Sequence, residues 1–295
     1  MPRAARILGT LALGILVGPI CASAEWADWI AEGDVAFQYE SNLNFSPFGG
    51  DEEDDFWWRF GTRGGRFFQL TDLTRASVEG NLAGEVYHEF DDLNAVDVGG
   101  TLAVSHKFGV GDKPWARLAV FGGYKDLRED DRSGARLEVD LAAGKRFSPR
   151  FDASLRYRFT SRWGGNGPTA VPTLSTNVWD QQYHLISAAG NFLVTRALLA
   201  TLGFTFRTGE FDSACTPQNV GTVLSWGNVK AIALDPVFGG CAYRLRGEAY
   251  SPFVNLSYGI THHLSVNASY RFMHGDAQRL DYDNHIGKLT LVLRY

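Results

Sequence analysis

Apolar and polar residues alternate along most of this chain. In RASVEGNLAGEVYHEF, Arg75, Ser77, Glu79, Asn81, Glu85 and Glu89 take one parity. Val78, Leu82, Val86 and Phe90 take the other, with Gly80 and Gly84 between them. In FDASLRYRFTS, Asp152, Ser154, Arg156, Arg158 and Thr160 alternate with Phe151, Ala153, Leu155, Tyr157 and Phe159. Successive side chains of a strand point to opposite faces, so a period of two predicts strands with one apolar and one polar face. These runs are longer than typical soluble strands. After Glu25 no stretch of ten or more residues keeps helical apolar spacing.

The same pattern predicts twelve strands, at 33–45, 56–70, 75–90, 95–108, 115–126, 135–147, 151–161, 178–193, 198–210, 242–259, 264–274 and 284–295. The connections alternate between short (70–74, 109–114, 148–150, 194–197, 260–263) and longer or acidic (46–55, 91–94, 127–134, 162–177, 211–241, 275–283). Short turns at one end and long loops at the other predict an all-β, closed antiparallel up-and-down transmembrane barrel. About twelve strands are expected, within a range of about ten to fourteen. It is expected to be a single domain over 25–295. A change of phase between Ala249 and Tyr250, just before Pro252, predicts a bulge. Strand 56–70 carries Gly61, Gly64 and Gly65, with Arg66 on its apolar parity.

A soluble barrel buries its apolar face and a membrane barrel exposes it, so alternation alone leaves the choice open. The apolar parity concentrates aromatics near strand ends, at Trp58, Phe60, Phe90, Phe108, Tyr124, Phe147, Phe151, Phe159, Phe192, Tyr243, Tyr258 and Tyr295. Two aromatic girdles suit a membrane barrel. Between them lie small or aliphatic residues such as Val98, Gly100, Leu102, Ala143, Ala200, Leu202 and Ala268, which lipid tolerates and a close-packed interior would not favour.

The first residues add a compartment. Arg3 and Arg6 precede an apolar stretch and then Ala22-Ser23-Ala24, the layout of a secretory signal peptide with cleavage after Ala24. Removing 1–24 leaves 26 basic residues against 33 acidic ones, a balance that disfavours nucleic acid as a partner. Cys215 and Cys241 then lie where disulfides persist, at the two ends of one irregular stretch. A bond between them would contribute about 3 kcal/mol in the chain-entropy view; the alternative is two unrelated thiols. No zinc spacing, phosphate loop or calcium loop is present, so no metal or cofactor is expected. The run Asp51-Glu52-Glu53-Asp54-Asp55 reads as a solvated loop.

An export signal, amphipathic strands, unequal loop ends and a last strand KLTLVLRY resemble a Gram-negative outer-membrane β-barrel, porin-like in size. The resemblance implies an outer-membrane location, with contact to outer-membrane lipid and lipopolysaccharide. It also implies that Leu291, Leu293 and Tyr295 form the terminal signal for the insertion machinery, although phenylalanine is commoner than tyrosine at the last position. The stretch YESNLNF at 39–45 is similar to the opening of the barrel part of surface lipoprotein assembly modifiers, a match too short to carry an activity.

The polar parity supplies the candidate site. The expected pore-lining bases are Arg59, Arg63, Arg117, Arg136, Arg156, Arg158, Arg207, Arg244, Arg246 and Arg271, and the expected pore-lining acids Glu79, Glu85, Glu138 and Asp140. Guanidinium groups in a narrow channel attract anions, so one expectation is a pore for small anionic or polar solutes. A second is a plugged structural or surface-interaction barrel. Glu138 and Asp140 face a strand carrying Arg156 and Arg158, and Trp57, Phe67, Trp115 and Phe121 also point inward. A third is a barrel-embedded lipid hydrolase, which needs a His–Ser pair near the rim. His88 and His106 fall on the lipid-facing parity but toward opposite ends. His184, His274 and His285 lack a serine arrangement, and His262-His263 lies in a turn. The chain is therefore expected to be non-enzymatic.

Overall fold

The structure is a computed structural model describing residues 25–277 and 281–295, with side chains from Trp29 onward. The expected signal peptide lies outside the described residues. Thirteen strands form one antiparallel sheet. They are β1 (Glu25–Glu40), β2 (Asp55–Thr71), β3 (Thr74–Tyr87), β4 (Ala95–Lys107), β5 (Trp115–Leu127), β6 (Gly134–Ser148), β7 (Phe151–Gly164), β8 (Gln181–Leu193), β9 (Leu198–Cys215), β10 (Ala231–Asp235), β11 (Gly240–Gly259), β12 (Leu264–Asp276) and β13 (Asp281–Arg294). Apart from β10, each strand pairs with the next, β9 pairing with β11, and β13 returns to β1 through Glu32↔Arg294 to Glu40↔Ile286. Closure leaves the twelve-stranded wall without a free edge. Twelve strands make the barrel and β10 is an addition, hydrogen-bonded to the far end of β11.

The outer face is an apolar belt. Val98, Leu102, Val120, Leu141, Leu202, Leu256 and Leu289 are all exposed at mid-height. Phe108, Phe147, Phe151, Phe192 and Tyr258 rim the short-turn end, and Tyr39, Trp58, Tyr124, Trp163, Tyr250 and Tyr270 the long-loop end. In water such a surface would be costly; in hydrocarbon it is the required one. Glycines on the inner face make room for rings: a Cβ at Gly99 or Gly123 would come within 2.5 or 2.6 Å of Phe121, and one at Gly203 within 2.2 Å of Phe253.

Three expectations need correction. The first strand ends at Glu40, because 41–45 turns over the mouth. There Asn42, fully buried, donates to the Ser46 carbonyl at 3.0 Å and the Asp283 carbonyl at 3.2 Å. Next, β11 has no bulge: its register with β9 is unbroken from Cys241↔Cys215 to Tyr258↔Leu198. The change of phase is real but has another origin. Below Tyr250 the outer face of β11 meets the apolar belt. Above it the strand stands clear of that belt, so Arg246 and Glu248 are exposed on the outer parity while Tyr243, Leu245 and Ala249 are buried on the inner one. Finally, Phe90 and Tyr243 are not girdle residues. Phe90 packs against Phe238 at 4.9 Å, and Tyr243 is fully buried among loop residues.

Those buried residues form a roof over the long-loop end. The 216–239 connection contains α1 (Val220–Ser225) and β10, and packs Val223, Ile232, Cys241, Tyr243 and Leu245 into one cluster with Cys215. Cys215 and Cys241 are joined in a disulfide, with their Cα atoms 5.1 Å apart. The β10–β11 turn reaches the opposite wall, where Val237 and Phe238 pack against Leu93, Ala95 and Leu127. Beneath, Phe45, Phe211, Met273 and Tyr282 form a further apolar layer.

Candidate functional site: the lumen and its roof

Alternation projects one side chain in two into the barrel, and the antiparallel register then sets acids beside bases on neighbouring strands. From β1 to β7 this produces a ladder. Arg59 meets Asp34, and Arg63 lies 3.3 Å from both Glu32 and Glu79. Lys125 pairs with Glu85. Arg136 is 2.9 Å from Asp97 and 3.4 Å from Glu138; Arg158 is 3.2 Å from Glu138 and 3.1 Å from Asp140; Arg156 is 3.4 Å from Asp140. The ladder carries nearly equal numbers of both signs, so most of its charge cancels locally.

Further bases stand outside the ladder. The Arg117 side chain on β5 has no hydrogen bond or ion pair among the described residues. Among the described residues Arg271 on β12 makes only a ring contact, with Phe253 at 5.5 Å, and Lys288 lies on the next strand, β13. Arg207 stacks at 4.0 Å on both Tyr183 and Phe211 and donates to the Glu210 carbonyl at 2.8 Å.

Arg244 and Arg246 do not line the lumen. The unbroken register of β11 gives them the parity of Tyr250, and they sit above the belt. Arg244 is tied to the Asp180 carbonyl, to Asn177 at 3.2 Å and to Glu210 at 3.5 Å, while Arg246 borders an outward-facing groove beside His184, Glu248 and Asp276. Leu291 and Leu293 face outward from β13; the Tyr295 amide donates to the Ala31 carbonyl and its ring is almost wholly exposed.

The roof holds an ion pair that sequence reasoning missed. Arg132, between β5 and β6, reaches Asp235 at the end of β10 with Nη2 to Oδ2 at 2.6 Å. Asp235 is fully buried, and Arg132 lies 5.3 Å from the rings of both Trp179 and Phe238. The partners are 103 residues apart and belong to loops with no periodicity, so no sequence signal joined them. The acidic run is also partly structural. Asp51 accepts from Thr216 at 2.9 Å and Asn219 at 2.6 Å, and Asp55 accepts from the amides of Glu89 and Phe90.

Histidine geometry bears on the hydrolase reading. His184 bonds Tyr157, His285 bonds Tyr270, His106 bonds Thr74 and His274 bonds Asp283, while His88 stacks on Phe56. None of these contacts involves a serine hydroxyl. No group of three His, Cys, Asp or Glu arranged to hold a metal occurs among the described residues.

A closed barrel with an apolar outer belt, a charged interior and unequal loop ends is a transmembrane β-barrel, built like a porin. Comparison with solved structures narrows the type. The chain is similar to an outer membrane channel from Pseudomonas putida F1 (TM-score 0.58, 11% identity, covering 92% of this chain and 97% of that one). It is also similar to the NanC porin (TM-score 0.50, 10% identity, 89% and 100% covered). The fold is thus that of outer-membrane channels. No family model matches the sequence, and no curated protein matches it.

Proposed function

We propose that the protein is an outer-membrane channel for small polar solutes, with a preference for anions, and that the roof is its gate. Export through removal of residues 1–24 is part of this proposal. The observation that carries it is the solvent access of guanidinium groups inside the barrel: the side chains of Arg63 and Arg156 are 42% and 49% exposed although both face the lumen. Water therefore reaches the ladder, and a wet lumen with an excess of fixed positive charge concentrates anions. The channel fold supports the same reading.

A second reading is a surface-interaction barrel that does not conduct. The closed apolar roof favours it, because buried clusters over a mouth obstruct passage. Planar-bilayer recording separates the two. Conductance with anion preference, diminished when Arg117, Arg271 and Lys288 are replaced together by Gln, is the expected result. Folded protein that stays silent even after the roof is loosened would eliminate the channel.

A further inference from the structure

Past the end of β1 the chain crosses the inside of the mouth. The Asn42 amide donates to Asn284 Oδ1 on β13 at 3.3 Å. Two and three residues later the chain is bonded to β9, where the Ala214 amide donates to the Asn44 carbonyl at 2.9 Å and the Ser213 hydroxyl to the Phe45 carbonyl. β12 and β11 stand between β13 and β9 in the wall, so this short segment passes the inner faces of both. The Phe45 ring lies edge-on to Tyr282 of β13 at 5.8 Å and packs with Met273 of β12 and Phe211 of β9. On its other side Leu43 packs against the cluster of Leu93, Ala95 and Leu127. The segment therefore touches two walls, and an apolar layer across a mouth obstructs water and ions.

The crossing is strained. Phe45 stands at a φ of 49°, the only non-glycine residue with a positive φ among the described residues. A Cβ crowds the backbone in this left-handed region, and a bulky residue there is an outlier. Such a conformation persists only where its surroundings over-determine it. Here the restraint is Asn42, whose fully buried Nδ2 serves the carbonyls of Ser46 and Asp283 while its Oδ1 accepts from the Ser46 amide at 2.9 Å.

We infer that residues 41–54 form a strap across the lumen, distinct from the roof and built to release: Asn42 latches it, and the left-handed backbone of Phe45 is the strain that release relieves. The inference rests on the channel reading only for what passes once the strap lifts. The strap holds together as a unit, since the Leu43 amide donates to the Glu53 carbonyl at 2.7 Å and Asn44 Nδ2 to the Asp51 carbonyl at 2.6 Å. It also supports α1 of the roof from below, with Phe48 stacked on Trp226 at 5.8 Å. The roof has its own ties elsewhere, from Arg132 to Asp235 and from the Leu234 amide to the Pro168 carbonyl.

Hydrogen exchange of the folded barrel in lipid nanodiscs reads the strap through the Ala214 amide, which the Asn44 carbonyl covers. Asn42→Ala should speed exchange there on the order of tenfold or more, because buried carbonyls lose their donor. The Leu234 amide should keep its rate. Phe45→Ala should also speed exchange at Ala214. Phe45→Gly loses the same ring but tolerates the left-handed backbone, and should exchange about fivefold more slowly than Phe45→Ala. In planar bilayers, Asn42→Ala added to Arg132→Met should enlarge the current through each open channel. Heat-modifiable migration on a gel reports whether each variant is a folded barrel. Unchanged exchange at Ala214 in folded Asn42→Ala, or acceleration of Leu234 in step with it, overturns the strap. Equal rates in Phe45→Gly and Phe45→Ala overturn the part given to strain. Release of the strap in a barrel that passes no current refutes the channel reading and leaves the strap standing. Release that leaves the open-channel current unchanged overturns the strap as a closure of the mouth.

Discussion

Replacing Arg132 by Met tests whether the roof is a gate. The substitution keeps an unbranched apolar side chain but removes the guanidinium, which lies 5.3 Å from the rings of Trp179 and Phe238 and supplies the charge that Asp235 faces. Asp235 is fully buried, so its carboxylate would have neither water nor a cation. Breaking a buried pair from one side costs about 3–5 kcal/mol. The pair joins the β10–β11 turn to the β5–β6 connection and touches no lumen residue of the ladder, so the penalty falls on the closed roof and not on the barrel wall. At about 1.4 kcal/mol per factor of ten, the closed-to-open ratio should fall by about a hundredfold or more. Single-channel recording reads this as a rise in open probability, and limited proteolysis reads it as new cleavage within 216–239. Pairing Arg132→Met with Asp235→Leu should restore most of the closed state, because an apolar pair of similar volume is often as stable as the ion pair it replaces. Unchanged open probability and unchanged cleavage in folded Arg132→Met would refute the account.

Two further outcomes are expected. Leu102 sits at mid-belt and is 60% exposed on the outer face; Leu102→Arg should destabilise the barrel in lipid vesicles by about 2–4 kcal/mol, whereas Thr101→Arg on the lumen side should cost far less, as denaturant titration would show. In the 41–54 loop, desolvation holds the Glu53 carboxyl above its usual range, with Glu89, Asp54 and Asp51 adding repulsion. A raised carboxyl favours the protonated fold. Loop packing should thus be firmest below the usual glutamate range, about pH 4, and loosen as pH rises through the elevated value. Amide protection at Leu43, which bonds the Glu53 carbonyl, should follow that trend after correction for intrinsic exchange, and Glu53→Gln should flatten it.

The barrel was legible because lipid and lumen impose one rule at every height of the wall. Wherever a strand crosses the belt, as at Val78 to Val86 or Leu155 to Phe159, parity alone assigns the face. Legibility failed where strands leave the belt. Arg244 and Arg246 are polar residues beside an apolar parity, as in a lumen, yet there the packed roof lies inside and solvent outside. The same inversion misplaced Tyr243. Pairings within the lumen were partly readable, since Glu138 and Asp140 lie on the strand next to Arg156 and Arg158. The unpaired state of Arg117 was not, because it depends on which long side chains reach each other across the interior. The roof was invisible for a different reason: its contacts, Arg132 with Asp235 and Asn42 with Asn284, join residues far apart in sequence through irregular backbone.

The inversion along β11 also makes that strand a depth gauge. A strand whose outer face changes from Leu256 and Tyr250 to Glu248 and Arg246 can neither sink nor rise by even one residue pair without putting charge in hydrocarbon or aromatic surface in water. β9 is tied to it rung by rung up to the disulfide. The height of the roof above the lipid is therefore fixed by two strands that belong to the wall and the roof at once. Any membrane thick enough to reach Glu248 would have to push against the roof itself.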